Sequence, residues 1–356
     1  MRLPSSKIRS VRRRLLDWFD RSKRDLPWRQ DPTAYKVLVS EFMLQQTQVE
    51  TVLPYFRRFI EAFPTFQVLS QAHEEDVLRL WSGLGYYRRA RNLRFAAQRI
   101  VEEHQGRFPT TLEEALALPG VGRYTAGAVL SIALGSQVPL VDGNVERVLS
   151  RLFVIREDFS TSGGKKAAWE LAEQLVPKDR PGDFNQALME LGALICTPIG
   201  PKCLLCPISN LCRAYREGIA EELPLKTRKQ KQAKIEEVVL LLKCEDRWLL
   251  TNRNEESLYE GMWQFPWLWK KNREKSIRFT LKRLISSLGL PVHSAKRTHA
   301  LSHGITFRRI ETTFFRAELR NGFGRVGEDR RWVEKGNLHR EPLPGYQKKV
   351  LGWLDE

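Results

Sequence analysis

Four of the five cysteines of the chain fall within one short stretch. Cys196, Cys203, Cys206 and Cys212 follow the spacing Cys-x6-Cys-x2-Cys-x5-Cys. Four thiolates this close in sequence are best explained as ligands of one metal centre, either an iron–sulfur cluster or a zinc ion. Structural zinc sites with four thiolates usually contain two Cys-x-x-Cys pairs, whereas here only Cys203 and Cys206 form one. The spacing therefore predicts that the chain closes around one metal centre between residues 196 and 212.

The size and charge of the chain narrow the class of protein further. With 356 residues, of which 42% are hydrophobic, the chain is typical of a globular protein with two domains. Lys and Arg exceed Asp and Glu by 59 − 42 = +17. A surplus of this size indicates a polyanionic partner, because backbone phosphates attract Lys and Arg regardless of base sequence. We expect a nucleic-acid-binding protein; the alternative is a protein that is merely basic.

The remaining cysteine and the apolar runs indicate the cellular compartment in which the protein is expected. Cys244 stands alone in an apolar run, which fits a reducing compartment better than a secreted disulfide framework. Residues 1–14 carry Arg and Lys but lack the apolar segment of a secretion signal. The longest apolar run, Val238–Leu242, is too short to span a bilayer. We therefore expect no membrane partner.

The chain up to about Gly218 is predicted to be helical. Apolar residues recur there at helical spacing, and Pro and Gly interrupt the pattern. The predicted helical segments are Val11–Phe19, Tyr35–Phe59, Glu75–Leu80, Ala90–Val101, Leu112–Leu118, Thr125–Leu134, Val145–Phe153, Lys166–Leu175 and Asn185–Ile195.

A basic segment separates this part from a different pattern. Residues 221–235 are rich in Lys and Arg with little apolar content, which predicts an exposed linker. Residues 236–356 then predict an α+β domain. Its expected strands are Glu237–Leu242, Trp248–Asn252, Lys296–Leu301, Ile305–Leu319 and Arg331–Val333, with helices near Ser276–Leu288 and Gly345–Leu354.

A glycine-rich turn in the helical part is a candidate phosphate-binding site. Thr111 and Glu114 form a plausible capping box for the helix before it. Gly120 and Gly122 allow a tight turn and a close approach to another molecule. The free N–H groups of the next helix then point outward, where they favour a phosphate. The alternative is an ordinary turn between two helices.

Two carboxylates are predicted to lie in contrasting environments. Asp142 precedes a helix, where the positive end of the dipole stabilises the anion and should lower the pKa; a plain N-cap is the alternative. Glu41 lies in an apolar helical run, where desolvation should raise the pKa so that it can act as a general acid; a solvated helix glutamate is the alternative. Such a pair suits glycosidic bond cleavage through an oxocarbenium-like transition state.

Three stretches resemble the endonuclease III superfamily of DNA glycosylases. They are the cysteine spacing over 196–212, the sequence LPGVGRYTAGAV from Leu118, and VDGNVERV from Val141. The resemblance implies that the four cysteines hold one 4Fe–4S cluster, structural or redox-sensing, on an all-α helix–hairpin–helix domain. It also implies that Asp142 is the catalytic carboxylate, with Asn144 as its supporting partner.

The stretch SEFMLQQTQVETV from Ser40 is similar, more specifically, to the adenine DNA glycosylases of the MutY type. In that family its glutamate, here Glu41, protonates the departing base. The resemblance implies that Gln46 wedges into the duplex opposite the flipped base and that Tyr86 stacks beside the lesion base. It implies an adenine pocket formed by Trp28, Arg29, Leu44 and Glu190. The further expected DNA-binding residues are Leu84, Gly120, Val121, Gly122 and Arg123.

Two of these assignments carry alternatives. Glu190 sits among apolar neighbours, and an interhelical hydrogen bond explains it equally well. Tyr124 occupies the hairpin position where bifunctional relatives carry a lysine that forms a Schiff base with the sugar. A phenol cannot form an imine, although it can stabilise the sugar cation. We therefore expect a mainly monofunctional glycosylase.

The second domain resembles a Nudix fold. Glu260–Pro266 matches the loop of such folds, but the helical run 278–288 lacks the glutamates that hold magnesium in Nudix hydrolases. The resemblance to MutY implies a domain that reads 8-oxoguanine through a loop ending in a Ser-His pair. Here that pair is Ser302 and His303, preceded by Leu301 where the family usually has phenylalanine. The alternative is a polar turn between two strands.

The resemblance implies a base-excision repair enzyme that removes adenine mispaired with 8-oxoguanine or guanine from double-stranded DNA. We expect a monomer in the cytoplasm of a bacterial-type cell, associated with the nucleoid. The rival interpretations are an endonuclease III-type pyrimidine glycosylase/lyase and a non-catalytic DNA-binding protein. The predicted domains are 1–220 (a six-helix region over about 28–135, and a cluster region over 1–27 plus 136–220), the linker 221–235, and 236–356.

Overall fold

The computed structural model describes residues 2–225, 233–252, 259–272, 274, 276–305, 307–319, 322–323 and 326–354. Its described residues divide into two compact units. The first comprises Met1–Gln71 and Asn92–Arg228, and the second comprises Ala72–Arg91 and Lys229–Glu356. The sequence predicts one continuous helical domain over 1–220, whereas the structure groups residues 72–91 with the second unit.

The described residues before the strands form thirteen α-helices. These are α1 (Ser5–Ser22), α2 (Pro27–Gln30), α3 (Ala34–Leu44), α4 (Val49–Ala62), α5 (Phe66–Gln71), α6 (Glu74–Trp81), α7 (Arg88–His104), α8 (Leu112–Ala117), α9 (Arg123–Ile132), α10 (Gly143–Phe153), α11 (Ser162–Leu175), α12 (Pro181–Leu194) and α13 (Arg213–Arg216). Short 3₁₀ turns follow α12 at Cys203–Leu205, Ser209–Leu211 and Ala220–Glu222.

One apolar core cluster of the first unit is built mainly from the apolar faces of α1, α10, α11 and α12. On α1 the buried residues recur three or four positions apart, as expected for an amphipathic helix. They are Val11, Leu15 and Phe19. This core fixes the start of α10, and so the position of Asp142.

The predicted helical segment Tyr35–Phe59 is wrong as a single helix. It is divided into α3 and α4 by the polar run Gln45–Gln48. Gln46 there adopts a left-handed backbone with a φ of 58°, which a continuous helix does not contain. The polar run gives the chain no apolar face to bury, and the helix is interrupted at that point.

The glycine-rich turn joins α8 to α9. Thr111 accepts a hydrogen bond from the Glu114 N–H (3.3 Å) and donates one to the Glu114 carboxylate (2.6 Å). Gly120 has a φ of 74°, and a Cβ built there would lie 2.7 Å from the Cβ of Asn92. Both facts restrict position 120 to glycine. The N-terminus of α9 is formed by Gly122, which is exposed.

The described part of the second unit contains one six-stranded sheet. The strands are β1 (Ala233–Cys244), β2 (Arg247–Thr251), β3 (Trp267–Trp269), β4 (Lys296–Ile305), β5 (Arg308–Leu319) and β6 (Arg330–Glu334). Their order is β4-β5-β1-β2-β6, with β3 also paired to β1. β1 and β5 are parallel, and the other pairs are antiparallel.

One long helix and three short ones follow strands of this sheet along the chain. Helix α14 (Ile277–Leu288) packs Leu281, Leu284 and Leu288 against the apolar residues of β1 and β5. Helix α15 (Gly345–Lys348) is followed by the 3₁₀ helix Lys349–Trp353, so the helix predicted over Gly345–Leu354 is not one continuous α-helix. Lys335–Arg340 forms a further 3₁₀ helix.

Three further details differ from the sequence predictions. Strand β3 was not predicted, because three residues are too short a stretch to show alternation. Strand β4 continues to Ile305, so Leu301, Ser302 and His303 lie in a strand rather than a loop. Strand β1 begins at Ala233, inside the predicted linker, of which residues 226–232 lie outside the described residues.

None of the helices in the described ranges combines the length and the hydrophobicity that crossing a bilayer requires.

Candidate active site

Asp142 is the N-cap of helix α10. Its carboxylate accepts hydrogen bonds from the backbone N–H groups of Asn144 (2.9 Å) and Val145 (2.7 Å). The Asn144 side-chain amide donates a third bond, also of 2.9 Å. Three donors aimed at one carboxyl group match its ionised form and fix its orientation.

The pKa of Asp142 is nevertheless raised, which contradicts the prediction of a low pKa. Burial of the carboxyl group is the largest cause. The bonds from Val145 and Asn144 and the charge of Arg147 oppose it without cancelling it. The sequence revealed the helix terminus, but not that the fold removes water from the carboxylate.

Arg147 connects the Asp142 environment to the cysteine segment. Its guanidinium donates to the Asn144 side-chain oxygen (2.8 Å), to the Gly192 carbonyl (2.8 Å) and to the Cys196 carbonyl (2.7 Å). A Cβ at Gly192 would lie 2.6 Å from the Cβ of Asn144, so α12 and α10 are in close contact here. Asn144 therefore has little freedom to move away from Asp142.

Glu41 is buried on α3, with only 4% of its surface exposed. Its carboxyl group accepts a hydrogen bond of 2.5 Å from the hydroxyl of Tyr124 on α9. Burial raises the pKa of Glu41 to about 7; the Tyr124 bond lowers it and the charge of Asp142 raises it. The prediction of a raised pKa is confirmed. Burial also raises the pKa of Tyr124 well above its ordinary value, which keeps the phenol a donor.

Glu190 lies on α12 and forms ion pairs with two arginines. Arg24 donates to both carboxylate oxygens (2.8 and 2.9 Å), and Arg29 donates to one of them (2.9 Å). Burial alone would raise the pKa of Glu190, but the bonds from Arg24 and Arg29 outweigh it and lower the pKa to about 2. Glu190 is therefore an anion at neutral pH, unlike Glu41.

These groups line one cavity of about 530 Å³ in the first unit. It lies within the roughly 300–1,000 Å³ typical of small-molecule pockets. The predicted residues that line it are Trp28, Arg29, Glu41, Leu44, Tyr124, Asp142, Asn144 and Glu190.

Among the lining residues that sequence reasoning missed, three contact the predicted ones. Arg24 and Gln186 complete the polar network: Arg24 bonds Glu190, and Gln186 accepts a hydrogen bond of 2.9 Å from Arg29. Met189 contacts the Tyr124 hydroxyl through its sulfur at 3.4 Å. No local pattern distinguishes these residues from ordinary helix residues.

The predicted DNA-binding residues differ in what they present to solvent. Gln46 and Tyr86 are exposed, and both have a left-handed backbone, with φ values of 58° and 50°. The side chains of Leu84 and Val121 are buried, at 6% and 5% exposure, so these positions offer mainly backbone groups. Arg123 is exposed, and its guanidinium stacks over the Trp169 ring at 4.1 Å.

Gly120 and Gly122 are exposed as well, so the turn between α8 and α9 presents its backbone to solvent. The left-handed backbone of Gln46 and Tyr86, which are not glycines, costs free energy, and such conformations often mark positions with a function.

The four clustered cysteines also line one cavity. All four are free and half-buried. Arg151 donates to the Cys196 sulfur at 3.3 Å, and the Cys212 thiol donates to the Arg151 carbonyl at 3.4 Å. Among the described residues, no three His, Cys, Asp or Glu side chains are arranged to hold a single ion. Four half-buried thiols that share one cavity are a donor set that suits a metal centre of iron or zinc.

The predicted lesion-reading residues lie on β4 in the second unit. Leu301 is half-buried, and Ser302 is exposed and accepts a hydrogen bond of 3.2 Å from Arg309. The His303 ring stacks on the Tyr346 ring, with centroids 4.3 Å apart and planes inclined by 16°. Burial, followed by the charge of Lys349, lowers the pKa of His303 to about 4, so the ring is neutral at pH 7.

Comparison with protein families matches both parts of the chain. The model of the HhH-GPD superfamily, described as base excision DNA repair proteins, matches residues 39–174. The model of the NUDIX domain matches residues 237–353. Helix α14 of this NUDIX-like domain contains no glutamate, so it lacks the carboxylates that would hold magnesium.

Curated relatives extend the similarity over nearly the whole chain. The adenine DNA glycosylase of Homo sapiens is 36% identical over 406 residues, covering 97% of this chain and 74% of that protein. The adenine DNA glycosylase of Buchnera aphidicola subsp. Acyrthosiphon pisum is 34% identical over 338 residues, covering 95% of each.

A solved structure supports the fold of the helical part. A thermostable thymine-DNA glycosylase is 32% identical with a TM-score of 0.53, covering 60% of this chain and 98% of that one.

The fold and the paired carboxylates define a helix–hairpin–helix DNA glycosylase of base-excision repair, joined to a NUDIX-like domain. Within that class, the chain belongs to the adenine DNA glycosylase family.

The pKa of Glu41 predicts a pH-dependent stability difference. The folded protein holds the Glu41 proton up to about pH 7, whereas the unfolded chain releases it near 4.5. The wild-type protein therefore loses stability as the pH rises through this interval. Glutamine has no charge to bury, so Glu41→Gln should have the higher free energy of unfolding above pH 7, by up to about 3 kcal/mol. The difference should vanish below about pH 4.5.

Urea unfolding of the full chain at both ends of this pH range measures the difference. Glu173→Gln on the exposed face of α11 is the matched control and should show little pH-dependent difference from wild type. If Glu41→Gln and Glu173→Gln changed the free energy of unfolding equally at high pH, the fold would not exclude water from the Glu41 carboxyl group.

Proposed function

We propose that this enzyme removes adenine paired with 8-oxoguanine, and adenine paired with guanine, from double-stranded DNA and leaves an abasic site. The observation that carries the proposal is the cavity shared by Glu41 and Asp142. One carboxyl group there has a pKa of about 7 and one donor, and the other is held by three donors. A substrate on chromosomal DNA implies a nucleoid location, and we expect the chain to act there as a monomer.

Substrate binding brings a flipped nucleotide into this cavity. The net charge of +17 favours contact with the phosphates, and the backbone N–H groups at Gly120–Arg123 offer a local phosphate site. Adenine inside the duplex is out of reach of buried carboxylates, so it must rotate out of the stack. Exposed Gln46 is the side chain suited to wedge into the duplex there, and exposed Tyr86 is suited to stack beside the lesion base.

Glu41 acts as the general acid. With a pKa of about 7, a substantial fraction of Glu41 is protonated at neutral pH. It donates the proton to an imidazole-ring nitrogen of adenine, which makes the base a better leaving group. Glu190, with a pKa of about 2, is ionised and paired to Arg24 and Arg29, so it accepts hydrogen bonds from the base and cannot supply the proton.

The remaining pocket residues hold the base in place. Trp28, Arg29 and Leu44 line the cavity beside Glu190 and give the flipped adenine both apolar surface and hydrogen-bonding groups.

Asp142 stabilises the sugar as the glycosidic bond breaks. The bond electrons leave with the base, and the sugar develops positive charge at the carbon that held it. Asp142, oriented by Asn144, lies in the same cavity and provides the opposite charge, either as an ion or through a covalent adduct. Glu41, now ionised, accepts a proton from the water that attacks the sugar. Tyr124 cannot form a Schiff base, so no strand cleavage of the lyase type follows.

The NUDIX-like domain reads the base opposite adenine. Exposed Ser302 and half-buried His303 offer hydrogen-bonding groups along β4. Leu301 stands where the MutY family usually has phenylalanine, so its contact with the lesion is aliphatic.

The cysteine segment holds one 4Fe–4S cluster. Cys196, Cys203, Cys206 and Cys212 are the four ligands, and their shared cavity supports this assignment. The bound cluster supplies covalent cross-links within 196–212 and a redox-active centre. Arg147 joins the carbonyl of Cys196 to Asn144, so a well-ordered segment also supports the position of Asn144.

A set of matched duplexes tests the activity. Single-turnover excision should be fastest from adenine opposite 8-oxoguanine, slower opposite guanine and absent opposite thymine. Glu41→Gln and Asp142→Asn should each lower the rate constant at least about 100-fold, because one loses the acid and the other the stabilising charge. Glu173→Gln is the control and should retain the wild-type rate. Equal excision opposite thymine, or near-normal rates in either site variant, would contradict the proposal.

Metal analysis of the purified protein tests the cluster. Four iron atoms and four acid-labile sulfides per chain, with a brown colour and broad visible absorption, are expected. Cys206→Ser should lower the iron content and the thermal stability, whereas Cys244→Ser, in β1, should leave the iron content unchanged. One zinc per chain without iron would identify the site as a zinc centre instead.

A further inference from the structure

A buried carboxyl group in the second unit is linked through Tyr346 to the candidate lesion-reading residue His303. Glu237 on β1 is fully buried. It accepts hydrogen bonds from the hydroxyls of Thr312 (2.7 Å) and Tyr346 (3.3 Å). Gln347 donates to the Tyr346 hydroxyl (2.9 Å) and accepts a bond from the Phe265 backbone N–H (2.8 Å). The phenol of Tyr346 is therefore held from two sides inside the domain.

The ring of Tyr346 in turn supports His303. The two rings stack with centroids 4.3 Å apart. Tyr259 completes the site, because its ring lies 5.7 Å from that of Tyr346 and its hydroxyl lies 3.5 Å from Nε2 of His303. His303 Nδ1 is buried and has no hydrogen-bond partner among the described residues. The imidazole is thus held firmly by its face, whereas its two nitrogens are weakly engaged.

This arrangement suits a ring that must recognise a ligand. A buried polar atom without a partner costs free energy, and a ligand that supplies the partner recovers it. An imidazole fixed by stacking presents its nitrogens at a defined angle, so less conformational entropy is lost on binding.

The same element is tied to the segment that carries Tyr86. The backbone N–H of Gly345, the first residue of α15, donates to the Tyr87 hydroxyl at 3.1 Å. The Ser82 hydroxyl donates to the Leu343 carbonyl. Tyr86 lies next to Tyr87, and Tyr346 lies next to Gly345. Within the second unit, hydrogen bonds therefore join the segment that carries Tyr86 to the segment that carries Tyr346, on which His303 stacks.

From this geometry we propose that Tyr346 is a positioning residue for recognition of the base opposite adenine. It fixes the His303 ring, and Glu237 and Tyr259 hold Tyr346 and His303 in place. The inference rests on the proposed reading of 8-oxoguanine by His303. It assigns to the aromatic ring of Tyr346, whose hydroxyl donates to the buried Glu237, a role in substrate selection rather than in chemistry.

The test measures discrimination, not activity alone. Single-turnover rate constants for the full chain are compared on duplexes with adenine opposite 8-oxoguanine and opposite guanine. Removing the stack with Tyr346→Leu should lower the ratio of the two rate constants about tenfold, as His303→Ala does, because a freed imidazole loses its oriented hydrogen bond. Tyr346→Phe keeps the stacking ring and should hold the ratio within about twofold of wild type.

Two further variants separate positioning from general damage. The double variant His303→Ala/Tyr346→Leu should be no worse than either single variant, because Tyr346 acts through His303. The matched control is Trp353→Leu. It removes the other stacked histidine pair of β4, Trp353 on His299 at 4.4 Å, and should leave the ratio unchanged. Thermal unfolding of Tyr346→Leu and Trp353→Leu compares their stability losses.

The outcomes distinguish this inference from the proposed function. A wild-type preference that is lost in His303→Ala but kept in Tyr346→Leu overturns the inference and leaves the function standing. Additive losses in the double variant, or an equal loss in Trp353→Leu, overturn it as well. A preference kept in His303→Ala overturns it and leaves adenine excision intact. A wild-type enzyme without any preference for 8-oxoguanine overturns both.

Discussion

The burial of one carboxyl group, Glu41, is the constraint on which the candidate active site depends. Helix α3 offers that group almost no water and a single hydroxyl donor from Tyr124, so its pKa rises to about 7. Asp142, in the same cavity, is half-buried but receives three hydrogen bonds at the start of α10. Water exclusion thus makes one carboxyl group a proton donor, while directed donors keep the other suited to negative charge.

Much of this candidate site was predictable from the sequence, because its main residues lie in recognisable local patterns. The apolar run around Glu41 predicted the raised pKa of this residue, and the motif around Asp142 predicted that Asp142 lies at the start of a helix. The two glycines between α8 and α9 predicted a tight turn. The structure has that turn, and Gly120 in it has a left-handed backbone and lies close to Asn92. The family resemblance, carried by those motifs and the cysteine spacing, is confirmed by the relatives found.

What the sequence could not supply depends on contacts between distant segments. The raised pKa of Asp142 follows from burial that only the folded cavity creates, and Arg24 reaches Glu190 across 166 positions. The polar run that ends α3 was hidden within a longer helical pattern. The end of β4 that contains His303 was predicted as a loop, because the strand was expected to stop at Leu301. The stacking of His303 on Tyr346 joins two elements distant in sequence.

The pH dependence of single-turnover adenine excision tests the central claim most directly. If Glu41 must carry a proton and Asp142 must be ionised, the wild-type rate constant should fall about tenfold per pH unit above about pH 7, and it should also fall at low pH as Asp142 takes up a proton. The slow residual rate of Glu41→Gln should not show the fall above about pH 7. A wild-type rate that stays level from about pH 6 to pH 9 would contradict the assignment of Glu41 as the acid.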